Sequence, residues 1–301
     1  MRRWLLATAL GFIATAMSGQ ELEPRAFSPG PRGLNIFLLA GSYSSGDLVF
    51  DASLPLKDVT SNVWTAGAGY QRFFGLAGKT AKFAVLVNYA DGDAKGFVAN
   101  QYHERHFVGF SDPRIAFSWI FAGAPAMAPA EYAKYKPGTL AGFSASLSPP
   151  LGRNESDRLL NVGTNRWTLR TQLGVSQYVN KWTFEGILGG QFFSTNNHYF
   201  PGDAVQDQAP IYSAQAHCAY TVRRQLWIAV SATYYRGGAP TIDGVEGVGF
   251  QSNSRYGVSS SIPLAGRQSL GINFSRGLST RAGSNYDTLI VTWATRFMDR
   301  K

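Results

Sequence analysis

A chain of 301 residues with a formal net charge of +9, 45% hydrophobic and only 16% charged residues has the length of one large domain or two small ones. After its N-terminus no stretch approaches the ~18 consecutive apolar residues of a spanning helix, which leaves a soluble β-protein or a membrane β-barrel. The basic residues form no single run, which argues against nucleic acid as a partner, and one cysteine, Cys218, excludes an intramolecular disulfide.

Residues 1–20 read as a secretory signal: Arg2 and Arg3 supply the positive region, Trp4 to Ala16 the apolar one, and Ala16-Met17-Ser18 a small-residue cleavage pattern, with cleavage after Ser18. Residues 21–32 then form a periplasmic lead-in, 33–297 a barrel, and 298–301 a polar tail. The first strand is expected over 34–46, followed by a polar loop to 61 that contains Leu54-Pro55. Strands over 62–75 and 80–91 flank a turn at Ala77-Gly78, and in the second of them Phe83, Val85, Val87 and Tyr89 alternate with Lys82, Ala84, Leu86 and Asn88. Residues 92–108 read as a long loop of mixed charge, and 112–122 as the fourth strand, with Ile115, Phe117, Trp119 and Phe121 on one face. Between 124 and 138, Pro129 opens one or two helical turns. The fifth strand covers 139–151.

The hairpin over 162–193 sets the register for the rest. Around Asn180-Lys181 it pairs Val179 with Trp182, Gln177 with Phe184, Val175 with Gly186, Leu173 with Leu188 and Leu169 with Phe192. Its other face sets Arg170, Gln172, Gly174 and Ser176 against Gln191, Gly189, Ile187 and Glu185. One face is apolar with aromatic ends, the other polar and charged. Strands of at least ten residues with an apolar face match the ~9–11 residues that cross a bilayer. Further strands lie at 211–222, 226–236, 253–264, 268–278 and 286–297, with polar loops at 196–209 and 237–251.

Short connections near 77, 180, 224 and 266 alternate with long ones near 53, 100, 158, 203 and 244. That is the signature of an all-β, transmembrane, antiparallel up-and-down barrel of about twelve strands, with short periplasmic turns and longer extracellular loops. Trp64, Tyr70, Trp119, Trp167, Trp182, Tyr234 and Trp293 lie towards strand ends or on apolar faces, as interfacial girdles do.

Short matches run through the chain in order: Gly33-Leu34-Asn35, Tyr43-Ser-Ser-Gly-Asp47, Leu54-Pro55, Ser111-Asp112-Pro113-Arg114, Gly123-Ala-Pro-Ala126, Pro150-Leu151-Gly152, Asn161 to Trp167, Ala232-Thr-Tyr-Tyr235, Asp243-Gly-Val245 and Gln251 to Arg255. Together they resemble the "MetA-pathway of phenol degradation" family of outer-membrane proteins. The resemblance implies an outer-membrane barrel and traffic of aromatic or other small organic molecules.

The inward register places Lys82, Arg114, Arg166, Arg170, Gln172, Glu185, Gln191, Gln215, His217 and Arg255 along the lumen. Such basic residues bias a pore towards anions, unless carboxylates such as Glu185 pair with them and the residues simply fill a narrow barrel. Asp112 and Asn165 suit turn hydrogen bonds, with Pro113 marking a strand start. His103 and His106 fall short of the three or four ligands of a zinc site. Gly78-Lys79-Thr80 lacks the first glycine of a phosphate loop, with Phe73 in its place, and joins two strands. There is no G-x-S-x-G elbow, and no cofactor is implied.

The expectation is a non-enzymatic channel for small organic solutes, with outer-membrane lipid and the barrel-insertion machinery as its other partners and its oligomeric state open. The alternatives are a filled-lumen barrel acting through its loops and, from a third class, a lipid hydrolase.

Overall fold

The computed structural model describes residues 22–50, 56–202 and 204–299; the expected signal segment, Leu54-Pro55 and the last two residues of the tail lie outside them. Strands β1 (Leu34–Val49), β2 (Leu56–Leu76) and β3 (Lys79–Val98) are followed by β4 (Gln101–Phe110), β5 (Arg114–Ala122), a short helix α1 (Pro129–Lys134) and β6 (Thr139–Ser148). Then come β7 (Thr168–Val179), β8 (Trp182–Phe193), β9 (Asn196–Tyr199), β10 (Ala204–Gln208), β11 (Ile211–Arg223) and β12 (Leu226–Gly237). The chain ends through β13 (Pro240–Ile242), β14 (Val245–Glu246), β15 (Gln251–Pro263), β16 (Gln268–Ser279) and β17 (Gly283–Met298).

All neighbours in the main sheet are antiparallel, and β1 pairs both with β2 and with β17, so the sheet closes on itself as a twelve-stranded barrel. β4 and β5 together make one of those strands, both pairing with β3. Closure matters because lipid offers no partner to an open strand edge. The hairpin of β7 and β8 has the expected register at every position, from Leu169 opposite Phe192 to Val179 opposite Trp182. Asn180 makes its turn by adopting a left-handed φ of 53°. Leu173, Val175, Phe184 and Leu188 are exposed on the outside, where no protein covers them, while Gln172, Ser176, Glu185 and Ile187 are buried on the inside. An apolar outer face on a closed barrel is the pattern of a transmembrane β-barrel, not a misplaced core.

Two expectations need correction. Residues 92–108 are not a loop: β3 continues to Val98, turns at Ala99-Asn100 and returns as β4. Charges on both faces hid this hairpin from period-2 reading, because here water wets both faces of the wall. Pro113, which has no N–H for the ladder, falls in the break between β4 and β5. The loops at 196–209 and 237–251 are also not free. β9, β10, β13 and β14 form a small separate sheet in the order β14-β13-β10-β9, buried around Tyr199, Ala204 and Ile242. Strands of two to five residues are too short to announce themselves by alternation. The expected helical turn after Pro129 is α1.

Candidate functional site

The lumen is occupied by the chain's own N-terminal segment. A lead-in outside the barrel was expected over 21–32, yet the part described here packs on inward-facing side chains. Leu22 is buried near Gly257, and Phe27 is 1% exposed. The reason lies in the wall. Gly142 and Gly174 are cross-strand partners on the inner face, and a Cβ on either would come within 2.3 or 2.2 Å of the Phe27 ring. The two glycines therefore leave a slot that an aromatic ring fills, and Ile120, Ala124, Leu140 and Ile187 complete the surrounding cluster. Burying such a ring is worth about 1.5–3 kcal/mol.

Glu185 holds the backbone beside that ring. Its carboxylate accepts from the backbone N–H of Arg25 at 2.8 Å, of Ala26 at 3.3 Å and of Phe27 at 3.4 Å, and from the Ser176 hydroxyl at 2.7 Å. From the facing wall, the Lys82 ammonium donates to the Ala26 carbonyl at 2.6 Å. A carboxylate takes the donors of this short stretch and an ammonium takes its acceptor, so one buried charge of each sign is satisfied by the same three residues. Above this clamp, Glu23 lies 3.6 Å from Arg170 and 3.9 Å from Arg114. Below it, the Tyr132 hydroxyl of α1 donates to the Pro29 carbonyl, and the Arg32 N–H donates to the Met127 carbonyl.

The ten inward residues expected from the register are all half-buried or buried, but they do not form one ring. Lys82 and Glu185 make the clamp, and Arg114 and Arg170 flank Glu23. Gln172 accepts from the Ser144 hydroxyl at 3.0 Å. The His217 Nδ1 shares a hydrogen bond of 2.8 Å with Ser231. Arg255 donates to the Tyr286 carbonyl at 2.6 Å, bracing the wall. Gln191 and Gln215 are buried on the strands beside them. Arg166 stands apart in the outer loop layer, its guanidinium 4.3 Å from the Phe193 ring centre and donating to the Gln208 side chain. Burial lowers its pKa to about 10, which leaves it cationic at neutral pH. Under the alternative of a filled barrel, Glu185 would pair with the basic lumen residues; its hydrogen bonds go to backbone N–H groups and Ser176, and the carboxylate beside Arg114 and Arg170 is Glu23.

At the outer end the loops are tied to one another and to the wall. Asp112 accepts from the N–H of Gly152 and of Thr164, each at 2.8 Å, and from the Thr164 hydroxyl at 2.6 Å. Asn165 donates to Asn196 at 2.8 Å. These are ties between distant loops and not the local turn hydrogen bonds expected of the two residues, although Asn165 does turn the chain with a left-handed φ of 54°. Arg153 donates its N–H to the Phe110 carbonyl, and Glu155 pairs with Arg105 at 3.0 Å and Arg153 at 2.8 Å, which fastens the 152–163 loop against β4. His106 pairs with Asp93 at 2.9 Å, and Ala77-Gly78 is a hairpin turn with Lys79 as the first residue of β3.

The residues missed by sequence reading are Glu23, Phe27, Gly142 and Gly174. Their one available signal was a pair of glycines on inward positions of adjacent strands, where side chains should fill a narrow barrel.

Residues 41–292 match the family described as "Putative MetA-pathway of phenol degradation". Among solved structures, an outer membrane channel from Pseudomonas putida F1 is similar at 18% identity and a TM-score of 0.77, over 92% of this chain and 100% of that one. The transport unit of the autotransporter AIDA-I from Escherichia coli reaches a TM-score of 0.53 at 11% identity, over 95% of each chain. A monoaromatic hydrocarbon channel, the TodX deltaS2 mutant, reaches 0.50 at 9% identity, over 98% of each. A comparison with curated protein sequences finds no match.

Proposed function

The chain belongs to the "MetA-pathway of phenol degradation" family, and from that membership and its plugged barrel we propose an outer-membrane channel for small organic solutes, closed at rest by its N-terminal segment. The observation that carries this reading is the construction of the plug. It is held by a carboxylate, an ammonium and one aromatic ring in a glycine slot, with its apolar packing confined to the cluster around Phe27 and to Leu22. Such a plug can leave as a unit. Its departure would expose Lys82, Arg114 and Arg170 to the lumen, a lining that favours anionic solutes. Gln172, Gln191, Gln215, His217 and Arg255 complete the proposed pore wall. The family's name and the TodX neighbour make one-ring aromatics the first solutes to test. The segment enters at Pro29–Arg32, which belongs on the periplasmic side with the turns of β7–β8 and β11–β12, and outer-membrane lipid surrounds the apolar outer face.

A second reading has one observation in its favour. The same filled lumen suits a structural barrel that acts through its outer loops. A lipid hydrolase finds less support, since the Ser231–His217 pair is buried at the inner wall and the neighbouring Glu185 is engaged by the plug.

The test is conductance in planar bilayers of the mature chain and of a variant lacking residues 22–30, both checked for barrel folding by heat-modifiable mobility. Low conductance in the first and a stable open pore in the second, with uptake of aromatic carboxylates into liposomes, is the expected result. A folded variant that conducts nothing overturns the channel and selects the structural barrel.

A further inference from the structure

Beneath the plug, at the short-turn end of the barrel, lies a half-enclosed cavity of about 260 Å³. Its walls come from three parts of the chain: Arg25 and Ser28 of the N-terminal segment, Tyr132 and Tyr135 of α1 and the residue after it, and Tyr178 and Arg224 near the two turns. Three phenol rings and two guanidiniums are an unusual lining, and no carboxylate is among the residues that form it.

The charges decide what fits. The Arg25 guanidinium donates to the Thr221 hydroxyl at 3.2 Å and lies 5.6 Å from the Trp227 ring centre, so its described partners are neutral. Arg224 has no ion pair among the described residues. Burial holds the Tyr132 phenol above its ordinary range, while Arg25, Arg224 and Arg296 all pull it the other way, which puts three cations within electrostatic reach of one ring. The Tyr132 and Tyr135 hydroxyls are spent on the carbonyls of Pro29 and Gly123, so the ring faces, not the hydroxyls, are what these tyrosines offer a ligand. The Ser28 hydroxyl, in contrast, is buried with no hydrogen-bond partner among the described residues. An unsatisfied buried hydroxyl, two cations without a counter-charge and aromatic walls are complementary to one kind of molecule.

We propose that this cavity is a binding site for a small planar organic anion, a carboxylate or phenolate carried on a single ring. Arg25 and Arg224 bind the negative group, Ser28 donates to it, and Tyr132, Tyr135 and Tyr178 enclose the ring. The proposal deepens the channel reading and rests on it for its meaning, since a solute held here sits at the foot of the plug and touches Arg25 and Ser28, two of its residues.

Binding is measured separately from conduction. The full mature chain in detergent is titrated with benzoate by calorimetry, with benzyl alcohol, benzylammonium and acetate as comparisons. Benzoate is expected to bind, with acetate and benzyl alcohol at least tenfold weaker and benzylammonium not binding. Arg224→Gln should weaken benzoate at least tenfold and Arg224→Lys much less, while heat-modifiable mobility stays that of the original chain. Equal binding of benzoate and benzyl alcohol, or an unchanged affinity in a folded Arg224→Gln variant, overturns the site. Conduction without benzoate binding removes the site and leaves the channel. Benzoate binding to a barrel that never conducts, even without residues 22–30, keeps the site and removes the channel.

Discussion

The two ends of the N-terminal segment are held in different ways. Around Phe27 the hold is steric and directional: a ring in a slot that admits no Cβ, and three backbone N–H groups on one carboxylate. Around Glu23 the charges contribute as well, at separations of 3.6 and 3.9 Å with the carboxylate side chain 37% exposed, next to a buried Leu22. A fitted contact fails when its geometry is broken by a fraction of an ångström, whereas a loose ion pair fails gradually with salt. The difference teaches that the lower end sets whether the segment is docked, and the upper end sets which charge the lumen presents.

The largest effect should come from filling the slot. Gly174→Val would place a Cβ 2.2 Å from the Phe27 ring, which must then leave the slot. The segment should undock, giving conductance close to that of the chain lacking residues 22–30. Phe27→Ala tests the same end from the other side, removing contacts whose loss in cores costs about 3–5 kcal/mol. If both variants stay as closed as the original chain, the slot does not hold the plug.

Next in size is Glu185→Gln. The amide keeps one acceptor but loses the charge, and hydrogen bonds to charged groups contribute about 1.5–3 kcal/mol each. Weakening them should raise the open fraction by about tenfold or more in single-channel recordings, since ~1.4 kcal/mol is a factor of ten. It also removes one of the two carboxylates, Glu23 and Glu185, that act on Lys82, so Lys82→Met combined with Glu185→Gln should be less harmful than the sum of the two alone. Additive effects would mean the two charges hold the segment independently.

Arg114→Gln with Arg170→Gln should act more weakly and differently. Gln keeps a hydrogen-bond donor near Glu23 at both positions, so docking should change less than with Glu185→Gln. The reading is selectivity: in a background lacking residues 22–30, reversal potentials should shift towards cations. An unchanged reversal potential there would mean these arginines do not set the charge of the open lumen.

How much of this was legible follows from what a side-chain pattern can encode. Every barrel strand left a period-2 trace because one face meets lipid, and the turn at Asn180-Lys181 fixed a register that the structure repeats residue for residue. β4 left none, because outside the lipid His103, Glu104, Arg105 and His106 can face either side of a wall wetted on both. The polar residues of the wall were found for the same reason as the strands. Their partners were not, since Glu185 meets residues 160 positions away through backbone atoms that carry no sequence signature. Glu23 and Phe27 lay in a segment with no periodicity at all, and a Pro- and Gly-containing lead-in reads alike whether it runs outside a barrel or through it.

The smallest expected effect separates the outer loops from the plug. Glu155 holds the 152–163 loop to β4 through Arg105 and Arg153, and hydrogen bonds from those two guanidiniums keep its carboxyl below the usual carboxylate range. A folded-state pKa below the unfolded one means that the pairing contributes stability above the ordinary carboxylate pKa and loses it as the pH falls through the depressed value. All three side chains are partly exposed, so the contribution is small and screened by salt. At neutral pH, Glu155→Gln should therefore make the loop more open to limited proteolysis, to the degree the original chain reaches only in acid, with conductance unchanged. If the same substitution opens the pore, the outer loops and the plug are one closure, and the separate roles assigned to the two ends of the N-terminal segment do not hold.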